Sequence, residues 1–331
     1  MEKMTIKDIA KLVGVSTATV SNYLNGNLSK MSPATQKKIA DMIRNTNYVP
    51  SSVARGLATN DSKTIGVSVA DITNPFTSTV LSGIYEECGK HGYRVLFTNA
   101  SSDASHETDN ISKLQNQQVS GLIIDPVEGD SPIYKTITNR NAVMIDRQAK
   151  QIKVDTVVTD NFDSVKRFVS KMLDEAYDVM YYVSWPLKNV STRWNRYNGF
   201  LAATGYVSGT HYLSVHNTGD TSEFLDELTA IMKENAGKKV GFFTMNGRVL
   251  IRLLAAMEFL GLQYPIDYGV GSYEDLDWMS ILKPAISCIS QDSYAIGTMS
   301  AQILLNKLDA KSEMEPRLIE VPTSEKIRGS F

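Results

Sequence analysis

Two groups of side chains in this sequence have types and spacings suited to recognition rather than to bond-breaking. The first is Thr17, Ala18, Ser21, Asn22 and Asn25, which share one face of a helix at 3.6 residues per turn. All are small or hydrogen-bonding, and none is acidic. Such a face can enter a DNA major groove, where hydroxyls, amides and methyl groups meet base edges. The same face also suits an ordinary helical hairpin, so its context decides. The second group closes a series of short apolar runs: Asp71, Asn99, Asp146-Arg147, Asp160-Asn161 and Asn246. In open parallel sheets, ligands bind outside the carboxyl ends of the strands. Polar residues there also cap helices; their gathering at one edge is the informative point. Nothing places a nucleophile beside a base, and GxGxxG, GxxxxGK[ST] and GxSxG are absent in a strand–turn–helix context. No catalytic residue is assigned, and an enzyme is not expected. Four scattered histidines give no zinc-ligand spacing, so neither a metal nor a cofactor is expected.

Presenting the first group requires a helical hairpin, and residues 5–25, TIKDIAKLVGVSTATVSNYLN, carry its signals. Thr5 with Asp8 three residues on has the form of a capping box. Ile9, Ala10 and Val13 recur at the spacing of a buried helical face. Gly14 stops that helix, because glycine enters the left-handed region a sharp stop requires. Val15 is expected as a buried plug in the turn, Ser16 as the next N-cap, and Val20 with Leu24 as the buried side of the second helix. Ser32-Pro33 opens a third helix, with proline at its first position. Its Ile39, Met42 and Ile43 would close a small core over Ile9, Val20 and Leu24. The stretch YVPSSVARGLATNDS (48–62) differs in kind. Pro50 breaks the preceding helix, and VARGLA is too short to stay helical alone in water. Gly56 within it costs roughly 1 kcal/mol against alanine. It is expected to order only when something holds it, a plain linker being the alternative.

Charge is unevenly placed. Residues 1–60 hold eight Lys or Arg against three acids, a net +5 that leaves −7 for the remainder of a chain whose total is −2. A basic head on an acidic body is what phosphate attraction favours. Cys88 and Cys288 lie in apolar patterns without a CxxC partner and read as buried free thiols of a reducing compartment. With no secretory leader and no apolar run long enough to span a bilayer, the expected location is the cytoplasm, nucleoid-associated when DNA-bound, with no membrane partner.

From Thr64 the pattern alternates short β-rich runs with helical stretches. Strands are expected at 65–71, 93–99, 121–125, 142–146, 156–160, 179–184, 211–215, 239–245 and 268–273, and RLIEV near the end reads as another. This argues parallel sheets built from βαβ units. Two sheets of five or six strands fit better than one of nine. The expected class is therefore α/β: a three-helix helix-turn-helix head and a hinge segment, followed by two doubly wound parallel-sheet lobes facing each other across a cleft. The expected divisions are 1–50 for the head, 51–62 for the hinge and 63–331 for the body. Lobe one takes about 63–161 and 292–320, and lobe two about 162–291 and 321–331.

With head, linker and two-lobed body in this order, the chain resembles the LacI/GalR family of bacterial transcription repressors over essentially its whole length. In the head the matching residues are Asp8, Ala10, Gly14, Val15, Ser16, Thr19, Val20, Ser21, Leu24 and Asn25; in the hinge, Tyr48, Pro50, Val53, Ala54 and Leu57-Ala58. In the body they are Gly66, Asn74-Pro75-Phe76, Gly83, Gly92-Tyr93, Gly121-Leu122-Ile123, Asp146-Arg147, Asp160-Asn161, Arg196, Gly199-Phe200, Asn246, Pro284 and Gln291-Asp292. The resemblance implies a homodimer on a palindromic operator, with hinge helices that order on DNA and Leu57 as a wedge in the minor groove. Val53 and Ala54 belong to that hinge contact. The base-reading positions correspond to Thr17, Ala18 and Asn22; asparagine at 22 suits adenine, where arginine is frequent in the family and suits guanine. Thr5, Ser16, Thr19, Ser21 and Asn25 are expected on phosphates. No leucine heptad follows RLIEV, so a dimer rather than a tetramer is expected.

For the cleft, the resemblance implies an effector held by Arg196, with Arg147 and Asn246 at matching positions and Glu274 where an aspartate is common. Phe76, Asn99 and Arg248 complete the expected effector residues. Asn246 is followed here by glycine, where the family often has aspartate, and then by Arg248. Together with Arg193 and Arg147, this favours an anionic effector such as a sugar acid, because arginine meets carboxylates bidentately. The ketodeoxygluconate repressors are the favoured subtype. Two alternatives stay open: control by a phosphoprotein corepressor, and a sugar-binding protein that does not act on DNA.

Overall fold

The structure, a computed structural model, describes residues 4–48, 62–150, 152–216, 222–310 and 315–331. The chain divides into two compact units, Met1–Lys63 and Thr64–Phe331. In the first, helices α1 (Ile6–Val13), α2 (Thr17–Leu24) and α3 (Pro33–Thr46) follow one another, with a 3₁₀ turn at Leu28–Lys30. Each begins where local chemistry says it should. Thr5 and Asp8 form a reciprocal capping box on α1, Ser16 caps α2, and Ser32 caps α3 with Pro33 at its start. Gly14 ends α1 at φ +74°, a conformation that strains any residue with a Cβ. Ile9, Ala10, Val20, Ile39 and Tyr48 form the buried centre. Val15 and Leu24 pack against it but stay partly exposed, so the turn plug is a lid rather than a core residue. A three-helix unit this small lacks the volume to enclose every apolar side chain. The hinge residues Val53, Ala54 and Leu57 lie outside the described residues.

The second unit has the α/β architecture expected, in two lobes. The first sheet runs in the order β11-β5-β4-β3-β1-β2, from β1 (Thr64–Val69), β2 (Arg94–Asn99), β3 (Gly121–Ile124), β4 (Ala142–Ile145), β5 (Thr156–Thr159) and β11 (Leu318–Val321). All its pairings are parallel. The second runs β12-β10-β9-β8-β6-β7, from β6 (Val179–Ser184), β7 (Tyr212–Ser214), β8 (Val240–Thr244), β9 (Gly269–Tyr273), β10 (Ser287–Ser290) and β12 (Ser324–Lys326). Only β12 is antiparallel there. Central strands such as β3, β4 and β8 are wholly buried, which is why they read as unbroken apolar runs rather than alternating ones.

Helices α4 (Pro75–Lys90) and α11 (Ser293–Asp309) pack together on one face of the first sheet, and α5 (Ala104–Asn116) covers the other. In the second lobe α6 (Asn161–Asp174) packs on α7 (Ser191–Thr204), and α8 (Ser222–Glu234), α9 (Gly247–Phe259) and the short α10 (Asp277–Ile281) complete the cover. The chain crosses between lobes three times, after β5, β10 and β11. Cys88 and Cys288 are buried and unpaired, and burial pushes their thiols up to about 11 and about 12. Among the described residues, no helix is long and apolar enough to cross a membrane.

Candidate functional site

On α2 the expected reading face is accessible. Thr17, Ala18 and Asn25 are exposed, while Ser21, Asn22 and Thr19 are partly so. The helix carries no acid in its first turn, so its positive end is unopposed towards an approaching phosphate. Three of the hydroxyls already work inside the protein. Thr5 Oγ1 donates to Asp8 Oδ2 at 2.6 Å. Ser16 Oγ accepts from the Thr19 amide at 3.1 Å and shares a hydrogen bond with Thr19 Oγ1 at 2.9 Å. Asn22 has no such internal commitment, and Ser21 only a long one, from Asn25 Nδ2 at 3.4 Å. Among the described residues, Thr17, Ala18 and Asn22 are the expected base-facing side chains, and no internal side-chain hydrogen bond engages them.

Between the lobes of the second unit lies a cavity of about 280 Å³. That is just below the usual range for ligand pockets, about 300–1,000 Å³, and admits a small guest. Phe76, Arg147, Arg196, Asn246, Arg248 and Glu274 line it, six of the seven residues expected from sequence. Asn99 does not. Its carboxamide oxygen accepts from the amides of Ile72 at 3.1 Å and Ser101 at 3.2 Å, fastening the loops after β1 and β2, so its assignment to the effector is corrected. Asp160 and Asn161 also serve the scaffold: Asp160 takes the Thr323 amide at a lobe crossover, and Asn161 takes Arg196.

Arg196 is held on three sides. Its Nε donates to Asn161 Oδ1 at 2.7 Å, Nη1 donates to the Met245 carbonyl at 2.9 Å, and the guanidinium lies 3.5 Å from the Tyr273 ring centroid. Such a group is pre-oriented and lends its remaining edge to a ligand without further ordering. Asn246 caps α9, accepting from the Val249 amide at 2.9 Å, which leaves its NH₂ as a donor. Glu274 sits beside it at φ +75° and accepts from the Gly247 amide at 3.1 Å. Burial raises its carboxyl above the usual range, against the pull of Arg196. A Cβ at residue 247 would stand 2.5 Å from Leu276 Cδ1, so glycine lets Leu276 and Glu274 close over the helix start.

Arg147 enters from the other lobe, its Nη1 donating to the carbonyls of Pro126 and Val127 at 2.8 and 3.0 Å. Asp125 and Asp146 stand 3.8 and 3.6 Å from its Nε. Behind them, buried Glu107 takes the Tyr134 hydroxyl and the Val127 amide. Arg248 is engaged differently. It pairs across the lobes with Asp71 at 2.7 Å. Burial alone would raise Asp71, but hydrogen bonds from Thr73 and the Arg248 partner outweigh it and hold the carboxyl below its usual value. Phe76 lines the cavity and packs in the core of the first lobe.

Sequence reasoning missed Asp71 as Arg248's partner, and Trp185, Thr192 and His216 as lining residues. Asp71 lies two residues after β1, at the end of the apolar run that signals the strand; the others carry no signal, since they follow β6 and β7 or open α7 without a distinctive spacing. Arg193, which adds charge in the sequence reading, does line the cavity.

Residues 5–51 match the description "Bacterial regulatory proteins, lacI family", and residues 65–312 match a periplasmic binding protein domain. The HTH-type transcriptional regulator KdgR of Bacillus subtilis (strain 168) is 31% identical over 99% of this chain and 97% of its own length. The HTH-type transcriptional regulator PtxS of Pseudomonas putida is 30% identical over 99% and 96%. A solved Lac repressor dimer, bound to operator and the anti-inducer ONPF, shares the fold with a TM-score of 0.84 over 99% of each chain, at 21% identity.

Proposed function

The chain belongs to the lacI family of bacterial regulatory proteins, and on that premise we propose that its cleft senses a monosaccharide-sized sugar acid that sets its affinity for operator DNA. It is an HTH-type, effector-controlled transcriptional regulator, as its relatives are, rather than an enzyme. One observation carries the choice of effector. The cavity lining brings together five cations, Arg147, Lys188, Arg193, Arg196 and Arg248, against the three acids Asp71, Asp146 and Glu274. Asp125 and Glu128, outside the lining, offset part of that excess at Arg147 and Lys188; a neutral sugar would leave the rest unanswered, and a carboxylate answers it. Hydroxyls of the same ligand would meet Arg196, Asn246 and Glu274, and Trp185 and Phe76 offer apolar faces to its ring or chain.

On DNA, Thr17, Ala18 and Asn22 are assigned to bases, and Thr5, Ser16, Thr19, Ser21 and Asn25 to phosphates. Residues 51–62, with Val53, Ala54 and Leu57, are assigned as the segment that couples lobe angle to operator fit. A homodimer matches a palindromic operator; exposed Ile251, Phe259 and Ile281 on the second lobe support one. The test is operator binding by fluorescence anisotropy, titrated with hexonates, hexuronates and their neutral counterparts. A change in operator affinity with an acid and not with its neutral counterpart is expected. A response to neutral sugars alone would overturn the sugar-acid reading and leave the regulator intact.

A further inference from the structure

The cavity's five cations are not equivalent, and their partners separate them. Arg248 is answered by Asp71, whose Oδ1 is fixed by the Thr73 amide at 2.9 Å and the Thr73 hydroxyl at 2.7 Å, so that Oδ2 faces the guanidinium. Arg147 stands between Asp125 and Asp146. Arg196 is bound on two nitrogens, stacked on Tyr273, and within the field of buried Glu274. Lys188 is largely exposed and 3.8 Å from Glu128. Arg193 alone lacks an answer: its Nη1 donates to the Pro186 carbonyl, and among the described residues no carboxylate stands at ion-pair distance.

Its position makes that absence expensive. Arg193 is the third residue of α7, where the helix presents its positive end and where acids, not bases, are favoured. Val190, at the N-cap, offers no side-chain acceptor to the first amides. The group is partly buried, and burial and the neighbouring Arg147 oppose its charge more than Tyr182, Tyr212 and Glu128, which stands beyond ion-pair distance, favour it. A cation held against three adverse influences at the wall of a ligand cavity is a residue whose counter-ion arrives from outside.

We propose that Arg193 is the anchor for the ligand's carboxylate, and that Arg248 is a lobe-to-lobe tie already satisfied by Asp71. The inference rests on the sugar-acid reading and sharpens it: the carboxylate docks at the start of α7, and the polyol end reaches Arg196, Asn246 and Glu274. The guanidinium's planar fork offers two parallel N–H donors to one carboxylate, which an ammonium does not.

The experiment uses the full-length protein with potassium gluconate and sodium galacturonate as probes, and glucitol and galactose as neutral counterparts, in calorimetric titrations of wild type, R193Q, R193K and R248Q. For an acid that wild type binds, R193Q is expected to weaken binding at least thirtyfold. R193K should recover part of the loss, and R248Q should cost less than fivefold. Ligand-free R193Q should melt no lower than wild type, because the residue removed is a charge without a partner. Loss of binding together with a lower melting point would mark a structural role and overturn the proposal. So would an R193Q that binds the acid within threefold of wild type, or an R248Q that loses as much as R193Q. Wild type that binds no acid but binds a neutral sugar would overturn the sugar-acid reading and this assignment together; acid binding indifferent to R193Q would overturn this assignment alone.

Discussion

Asp146 and Glu274, two of the acids that line the cleft, both adopt left-handed backbone, at φ +60° and +75°. For a residue with a Cβ this costs of the order of 1–2 kcal/mol, and such strain is tolerated where the surroundings over-determine it, commonly at functional sites. No sequence pattern announces it. What the sequence does announce is local: Thr5–Asp8, Ser16, Ser32-Pro33 and Gly14 all act within four residues of themselves, and each stands where its chemistry places it. The Asp71–Arg248 pair joins residues 177 apart, and nothing short of the fold brings them together. Asn99 shows the converse, since a strand-end amide that satisfies two backbone N–H groups looks in sequence like one that faces a ligand. Two expectations belong at this scale. Ser16→Ala should destabilise the head by about 1 kcal/mol, as lost N-caps do, read in the melting of the first unit. Asn22→Ala should lose about 1–3 kcal/mol of discrimination at one base pair of each half-site, whereas Ser21→Ala should weaken all sequences alike; a uniform loss for Asn22→Ala would show that it touches phosphate instead.

The helix pairs that brace the two sheets meet through glycine. A Cβ at Gly83 of α4 would stand 2.4 Å from the Tyr294 carbonyl of α11, and one at Gly297 of α11 would stand 2.1 Å from the Val80 carbonyl of α4. A Cβ at Gly199 of α7 would likewise stand 2.4 Å from the Phe162 carbonyl of α6. In each case the obstacle is backbone, which cannot rotate away. Gly297→Ala should therefore destabilise the body by about 1–3 kcal/mol, the usual range for overpacking, visible as a lower denaturation midpoint with an unchanged slope. Alanine favours an isolated helix over glycine, so a stabilised variant would show that the helices separate at little cost. At this scale the sequence is legible wherever a strand is buried on both faces and long enough to read. β12, three residues of Ser-Glu-Lys on an antiparallel edge, has no apolar signature at all. β10, SCIS, has serine at both ends and a single β-branched residue, so it lacks the continuous apolar run that marks β3 and β4 at the same length.

Two sets of contacts tie the lobes together beside the cavity. One is the Asp71–Arg248 pair at 2.7 Å. The other centres on Asn189: its carbonyl accepts from the Gly129 amide at 2.8 Å, its Nδ2 donates to Asp130 at 2.6 Å, and its Oδ1 accepts from Lys150 Nζ at 2.9 Å. Nearby, Ser191 Oγ accepts from the Gln148 amide at 2.9 Å. Tyr273 and Thr159 share a further hydrogen bond at 2.8 Å close to a crossover, where the lobes move least relative to each other. A ligand can shift the lobe angle only as far as its contacts differ between the two angles, so these ties set how much of its binding is spent on closure. Asp71→Asn with Asn189→Ala should therefore release ligand faster while leaving its contacts in place. Stopped-flow fluorescence of Trp185, which lines the cavity, should show dissociation roughly tenfold faster for ties worth about 1.4 kcal/mol together. Acid should act in the same direction through Asp71. Its carboxyl titrates below its unfolded value, so the pair contributes fully above the ordinary aspartate range and is lost as pH falls through that depressed value. Wild type should then approach the double variant in acid, and the variant itself should lose this part of its pH dependence. Equal release rates for the two proteins at neutral pH would mean that these side-chain ties close nothing, and that the cleft is held by its crossovers and by the remaining contacts, such as that of Ser191 with the Gln148 amide.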